Sequence, residues 1–153
     1  MKKFELTSET KINIFGKKLF RIKALISFGS VEEGETGGWV EKEDNLSHSG
    51  NAWVFDNAEV SDNARVFDNA WVFGNARVSD NADYATIHGF GTQFRTTTFF
   101  RCKDKQVKVS CGCFYGTIPE FREQVKNTRK GKIAEEYLMI ADLMEKHFAE
   151  EAK

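Results

Sequence analysis

The chain has 153 residues, a formal net charge of −1 and a hydrophobic content of 41% that includes 14 Phe. One Pro, 12 Gly and three Cys exclude a disordered, collagen-like or disulfide-stapled chain and suit one compact unit with its own core. No apolar run approaches the ~20 residues of a membrane-spanning helix, and the opening Met-Lys-Lys-Phe-Glu-Leu lacks the apolar core of a signal peptide, so a cytoplasmic protein with reduced thiols and no membrane partner is expected.

Residues 1–31 read as strands. Ile12 and Ile14 alternate with polar residues, Gly16-Lys17 signals a turn, and Phe20, Ile22, Leu25 and Ile26 mark the return, which together predict a hairpin. Residues 32–38 form a loop rich in Glu and Gly. Residues 1–36 thus predict an N-terminal β cap. Val40 and Leu46 stand six residues apart and begin an imperfect repeat. His48 occupies the register of the later Val54, which predicts a half-buried capping histidine rather than a ligand or base.

From Asn51 to Asp83 the chain repeats every six residues, with Ala at 52, 58, 64, 70, 76 and 82 and Val at 54, 60, 66, 72 and 78. A period of six does not fit an amphipathic helix. It fits a short strand that points Ala and Val to one side, followed by an Asp-Asn or Gly-Asn corner that tolerates left-handed backbone. Three such sides close a coil of eighteen residues. The predicted fold is mainly β with a C-terminal α part: a short parallel β-helix over residues 37–88 between two caps. Stacking by eighteen places Trp53 beside Trp71, Phe55 beside Phe73, Glu59 beside Arg77 and Arg65 beside Asp83. The aromatic face formed by Trp53, Phe55, Trp71 and Phe73 predicts an oligomer interface, with cover by the flanking segments of the same chain as the alternative.

After Asp83 the repeat decays. Residues 94–103 and 107–113 predict a second hairpin about Lys103-Asp104-Lys105. Thr117-Ile118-Pro119-Glu120 is a capping box for a helix that runs to about Thr128, with Ile118, Phe121 and Val125 on one side. Tyr137, Ile140, Met144 and Phe148 predict a second amphipathic helix over residues 133–148, whose end frays because Glu150 and Glu151 oppose its dipole. Residues 89–153 make up this hairpin and two-helix domain.

The repeat resembles the left-handed β-helix of hexapeptide-repeat proteins, from which the hand and a homotrimeric assembly are implied. The whole chain is similar to phage and prophage hexapeptide-repeat proteins. The resemblance rests on Gly-Gly-Trp-Val-Glu-Lys-Glu-Asp-Asn-Leu-Ser-His at 37–48, the Asn-Ala-x-Val repeats, Val-Ser-Cys-Gly-Cys-Phe-x-Gly-Thr-x-x-Glu-Phe at 109–121 and Glu-Tyr-Leu at 136–138. It implies a phage origin and action in a host bacterial cell, and it carries no catalytic residues over to this chain.

Charge is unevenly distributed. Residues 51–85 hold two Arg against six acids, or −4, while residues 86–132 hold ten Lys or Arg against three acids, or +7. The basic stretch supplies Arg95, Arg101, Lys103, Arg122, Lys126, Arg129 and Lys130. With Phe99, Phe100, Phe114 and Tyr115 as aromatic neighbours to stack on a ring, these residues predict a site for an anionic, nucleotide-like ligand. The expected function is therefore non-catalytic binding in phage–host interaction, sequestering such a ligand or binding a host defence protein. Duplex DNA is disfavoured by the negative net charge. A structural spacer or self-assembling rod is the alternative reading. Hexapeptide acyltransfer is a second, for which His48, His88 and His147 are poorly placed because they lie outside the regular repeats. Cys102, Cys111 and Cys113 read as packed thiols rather than a zinc set, since Cys-x-Cys is not the usual paired spacing. Neither a metal nor a cofactor is expected.

Overall fold

The computed structural model describes residues 2–92, 95–111 and 114–149. Cys113, Glu150 and Glu151, on which expectations were placed, lie outside them, as does the side chain of Arg95. The elements run β1 (Phe4–Ile12), β2 (Lys18–Ala24), β3 (Thr36–Val40), β4 (Trp53–Val54), β5 (Glu59–Val60), β6 (Trp71–Val72), β7 (Arg77–Val78), β8 (Tyr84–Phe90), β9 (Arg95–Arg101), β10 (Val107–Cys111), β11 (Phe114–Thr117), α1 (Ile118–Thr128) and α2 (Gly131–Phe148).

These strands form a five-stranded mixed sheet in the order β1-β2-β3-β5-β7, a four-stranded antiparallel sheet β11-β10-β9-β8 and a two-stranded parallel sheet β4-β6. This corrects the expected fold class: the chain is not a parallel β-helix between caps. Between strands, parallel pairing is confined to two-residue stretches, beginning at Trp53 with Trp71, Glu59 with Arg77 and, at a longer offset, Trp39 with Glu59. The third expected side contributes only the isolated bridge between Leu46 and Val66. Arg65 and Asp83 do not pair, because Asp83 ends a 3-10 turn (Asn81–Asp83) and binds Arg101 instead. Six-residue repeats leave only two residues between corners. The antiparallel strands before and after them are longer, and their pairing sets the sheets.

The six-residue chemistry still shapes the middle of the chain. Its Ala and Val side chains from Ala52 to Val78 are buried in one core. Asp56, Asp62, Asp68 and Gly74 all hold positive φ, between 51° and 66°, the left-handed corner that Asp tolerates better than most residues. Gly replaces Asp at the corner that Tyr115 covers: a Cβ at Gly74 would meet the Tyr115 hydroxyl. Asp80 breaks the series. Its backbone is extended (φ −145°) and its side chain caps the 3-10 turn by accepting from Ala82 N at 2.9 Å.

Both open edges of the β4-β6 pair are closed by side chains, as an unpaired strand edge demands. At β4, the Nζ of buried Lys3 donates to Ala52 O at 2.7 Å. At β6, Trp71 N donates to Thr98 Oγ1 at 3.2 Å and Ser110 Oγ donates to Trp71 O at 3.0 Å.

The antiparallel sheet divides two cores. Side chains alternate along a strand, so Phe100 enters the repeat core while Phe99 packs with Val109 and the two helices. Thr117 caps α1 as expected, accepting from Glu120 N at 3.3 Å, and Glu120 Oε1 accepts from Thr117 N at 2.8 Å. No described helix is long and apolar enough to cross a membrane.

Candidate functional site

Of the aromatic face expected to join subunits, Trp53 is turned fully inward and Phe55, Trp71 and Phe73 are half-buried. Trp53 is fully buried, with Phe28 and Phe4 against it at ring distances of 5.3 and 6.3 Å. Phe55 and Phe73 lie 5.0 Å apart and half-buried, Tyr115 covers Phe73 at 5.3 Å, and Trp71 packs on Phe55 at 5.8 Å. Trp53 has no surface left for a second chain, because the N-terminal segment folds over it.

The basic residues separate into two groups. Arg101, Lys103 and Arg122 are held by acids of the same chain: Arg101 by Asp83 at 3.2 Å, Lys103 by Glu59 at 3.0 Å, and Arg122 by Asp142 at 2.8 Å and Glu145 at 2.9 Å. Tyr115 is partly exposed and stacks on Phe100 with Lys108 over its ring. Lys126, Arg129 and Lys130 stand exposed at the joint between α1 and α2, with Lys132 beside them. The side chain of Arg95 lies outside the described residues.

Glu59 is the most heavily paired acid of the described residues. It is 3% exposed, and Lys11 at 2.9 Å, Lys103 at 3.0 Å and Arg77 at 3.4 Å converge on it from three distant parts of the chain. Burial alone would raise its pKa, but the two ammoniums outweigh burial and hold the carboxyl below its usual range. Lys11 and Arg21 also lie over the Trp39 ring, 4.6 and 4.8 Å from its centre. This cluster fastens the N-terminal hairpin and the β9–β10 turn to one point on β5.

Beside the basic joint lies a cavity of about 210 Å³. Phe90, Phe114, Phe121 and Tyr137 supply its aromatic walls, Cys111 and Val125 further apolar surface, and Thr92, Gln124, Thr128 and Arg129 its polar groups. β8, β10 and β11 bring one wall and α1 the other, with Tyr137 entering from α2. Thr97 Oγ1 donates to Cys111 Sγ at 3.2 Å. The sequence signalled Arg129 as a site residue and Phe114 among the stacking aromatics, but not the other walls. Their common side follows from strand pairing over residues 84–117, which a reading of residues 84–90 as a decaying repeat conceals.

The joint favours anions. α2 begins without a side-chain cap, has no acidic residue in its first turn and is flanked by Lys130, so its free N–H groups and dipole add to the cations.

The remaining candidates are apart. His48 is stacked on Phe4 at 4.3 Å, and its Nδ1 accepts from Lys3 N at 3.0 Å. Burial lowers its pKa, with Glu43 opposing. His88 is exposed against Thr96 Oγ1 at 3.2 Å, and His147 packs on Phe148. Cys102 sits in the repeat core, where burial pushes its thiol up to about 12, while Cys111 lies on the helix side of the same sheet. Among the described residues no group of three or more His, Cys, Asp or Glu is placed to hold a metal.

Compared with models of known families and with curated proteins, the chain matches none.

Proposed function

We propose that this chain is a non-catalytic binding protein for an anionic, ring-bearing small molecule of the nucleotide class. The phage resemblance supplies the setting: sequestration of such a molecule inside a host cell. The observation that carries the reading is the aromatic cavity with Arg129 in its wall, at the α1–α2 joint that also carries Lys130 and Lys132. At about 210 Å³ it is smaller than the roughly 300–1,000 Å³ of drug-sized sites. It takes one ring system, and the phosphates then lie outside among the cations. Arg and Lys suit phosphate oxygens, and stacking on an aromatic side chain contributes about 1–3 kcal/mol per base.

Isothermal titration with a panel of mononucleotides and cyclic nucleotides tests the proposal. Saturable binding that weakens with salt is expected. Arg129→Glu is expected to weaken it about tenfold or more, since a charge-assisted hydrogen bond becomes a repulsion. Heat with no member of the panel, or binding indifferent to Arg129→Glu, refutes it.

A second reading, binding of a host protein, is favoured by the tip of the β1–β2 hairpin, where Ile12, Ile14 and Phe15 are each more than 60% exposed. Pull-down from host lysate with wild type and with Ile14→Asp plus Phe15→Asp separates the two readings. A partner lost only by the tip variant supports the second.

A further inference from the structure

The outer face of α2 is patterned for a partner. Tyr137, Ile140, Ala141, Met144 and Phe148 turn into the core. On the opposite side Met139 and Leu143 remain 69% and 58% exposed, one helical turn apart. With Lys132, Glu136 and Lys146 they form a stripe at alternating spacings of four and three, the pattern of a helix-pairing seam. The two acids nearest α1, Asp142 and Glu145, are already held by Arg122. Among the described residues Glu136 and Lys146 have no ion-pair partner.

We propose that this stripe is the contact surface for a second copy of the chain, joined as an antiparallel pair of α2 helices. The charges select this occupant. A two-fold axis on the outer face at the height of Ala141 brings each stripe residue before it opposite the stripe residue equally far after it in the other copy. Met139 then meets Leu143 of the second copy, and Glu136 meets Lys146 of the second copy. Each contact occurs twice, as an isologous interface requires. A parallel pairing would instead set Glu136 against Glu136 and Lys146 against Lys146. A contact of one helix face is small, so the association is weak and concentration-dependent. It leaves the cavity on the other side of the helices open and does not depend on the ligand reading.

Sedimentation equilibrium from low-micromolar to near-millimolar protein tests the proposal, with Glu136→Lys, Lys146→Glu and Met139→Lys as variants. Met139 and Lys146 are exposed and Glu136 is half-buried, and circular dichroism checks that each variant folds like the wild type. The wild type is expected to show a monomer–dimer equilibrium. Glu136→Lys alone and Lys146→Glu alone each place like charges across both contacts and are expected to weaken dimerisation about tenfold. An equimolar mixture of those two variants restores opposite charges at both contacts and is expected to recover the wild-type dimer as a heterodimer. Met139→Lys is expected to be monomeric. A wild type that stays monomeric throughout overturns the proposal. So does association that neither charge variant weakens, or a mixture that fails to recover.

Discussion

The two cores divide the chain by different means. The repeat core is built around recurring Ala and Val side chains in and beside two-residue strands, closed over by Phe4, Trp53, Tyr84 and Phe100, and its Ala and Val positions recur because the corners recur. The second core holds large side chains, Phe99, Phe121, Tyr137, Met144 and Phe148, on long strands and helices with no repeat at all. They share β9, where Phe99 and Phe100 face opposite ways. The first core is therefore specified locally, residue by residue, and the second by which distant segments pair.

Breaking the partition at its centre has the largest expected effect. Phe99→Ala and Phe100→Ala each remove a fully buried ring and should destabilise by about 3–5 kcal/mol. Hydrogen exchange should tell them apart. Phe99→Ala is expected to release amides of α1 and α2 first, and Phe100→Ala those of residues 53–78. Identical, global loss of protection in both variants would show one cooperative core rather than two.

Glu59→Gln probes the clasp that ties the first core to both flanking hairpins. It leaves three cations converging on a neutral amide, and a loss of about 3 kcal/mol in a denaturant titration at neutral pH is expected. The pH dependence has a definite sign. The folded carboxyl titrates below its unfolded value, so its contribution is complete above the ordinary Glu range and disappears as pH falls through the lowered folded value. The wild type should lose stability over that acid range more steeply than Glu59→Gln. Parallel acid limbs would mean that the clasp contributes nothing.

The smallest effects belong to the two edge closures. Lys3→Met leaves Ala52 O without its donor and should cost about 1–3 kcal/mol. Thr98→Val should cost about 1 kcal/mol, Trp71 N losing its acceptor. Only Lys3 carries a charge. Burial lowers its pKa to about 8 from 10.5, so between those values the unfolded chain binds the extra proton and stability should rise with pH. Thermal melts of wild type and Thr98→Val should show that rise, and Lys3→Met should not. A rise that survives in Lys3→Met would assign it to another group.

Legibility in the sequence followed the same division. The buried Ala and Val positions, the left-handed Asp corners, the cap at Thr117 and the apolar stripe of α2 each follow from residues within one turn or one repeat. The stacking of Glu59 on Arg77 followed from counting eighteen. The architecture did not, because Lys11 and Lys103 reach Glu59 across 48 and 44 residues, and no local pattern marks such partners. Which reading of the aromatic face holds at Trp53 was hidden for the same reason: nothing near it in sequence shows that Phe4 and Phe28 will cover it. The cavity escaped because Phe90, Phe121 and Tyr137 meet only after β8 joins the antiparallel sheet.

The clasp at Glu59 also works as a gauge. Lys11 precedes the repeats and Lys103 follows them, yet both ammoniums share one carboxylate oxygen. Eighteen inserted residues would add one strand to each parallel pair and part the flanking segments by about 4.8 Å, too far for that sharing. Six would offer the hydroxyls of Thr98 and Ser110 the wrong side. The repeat number is thereby locked to the geometry of its neighbours, and a chain with more repeats would have to move the acid or give it up.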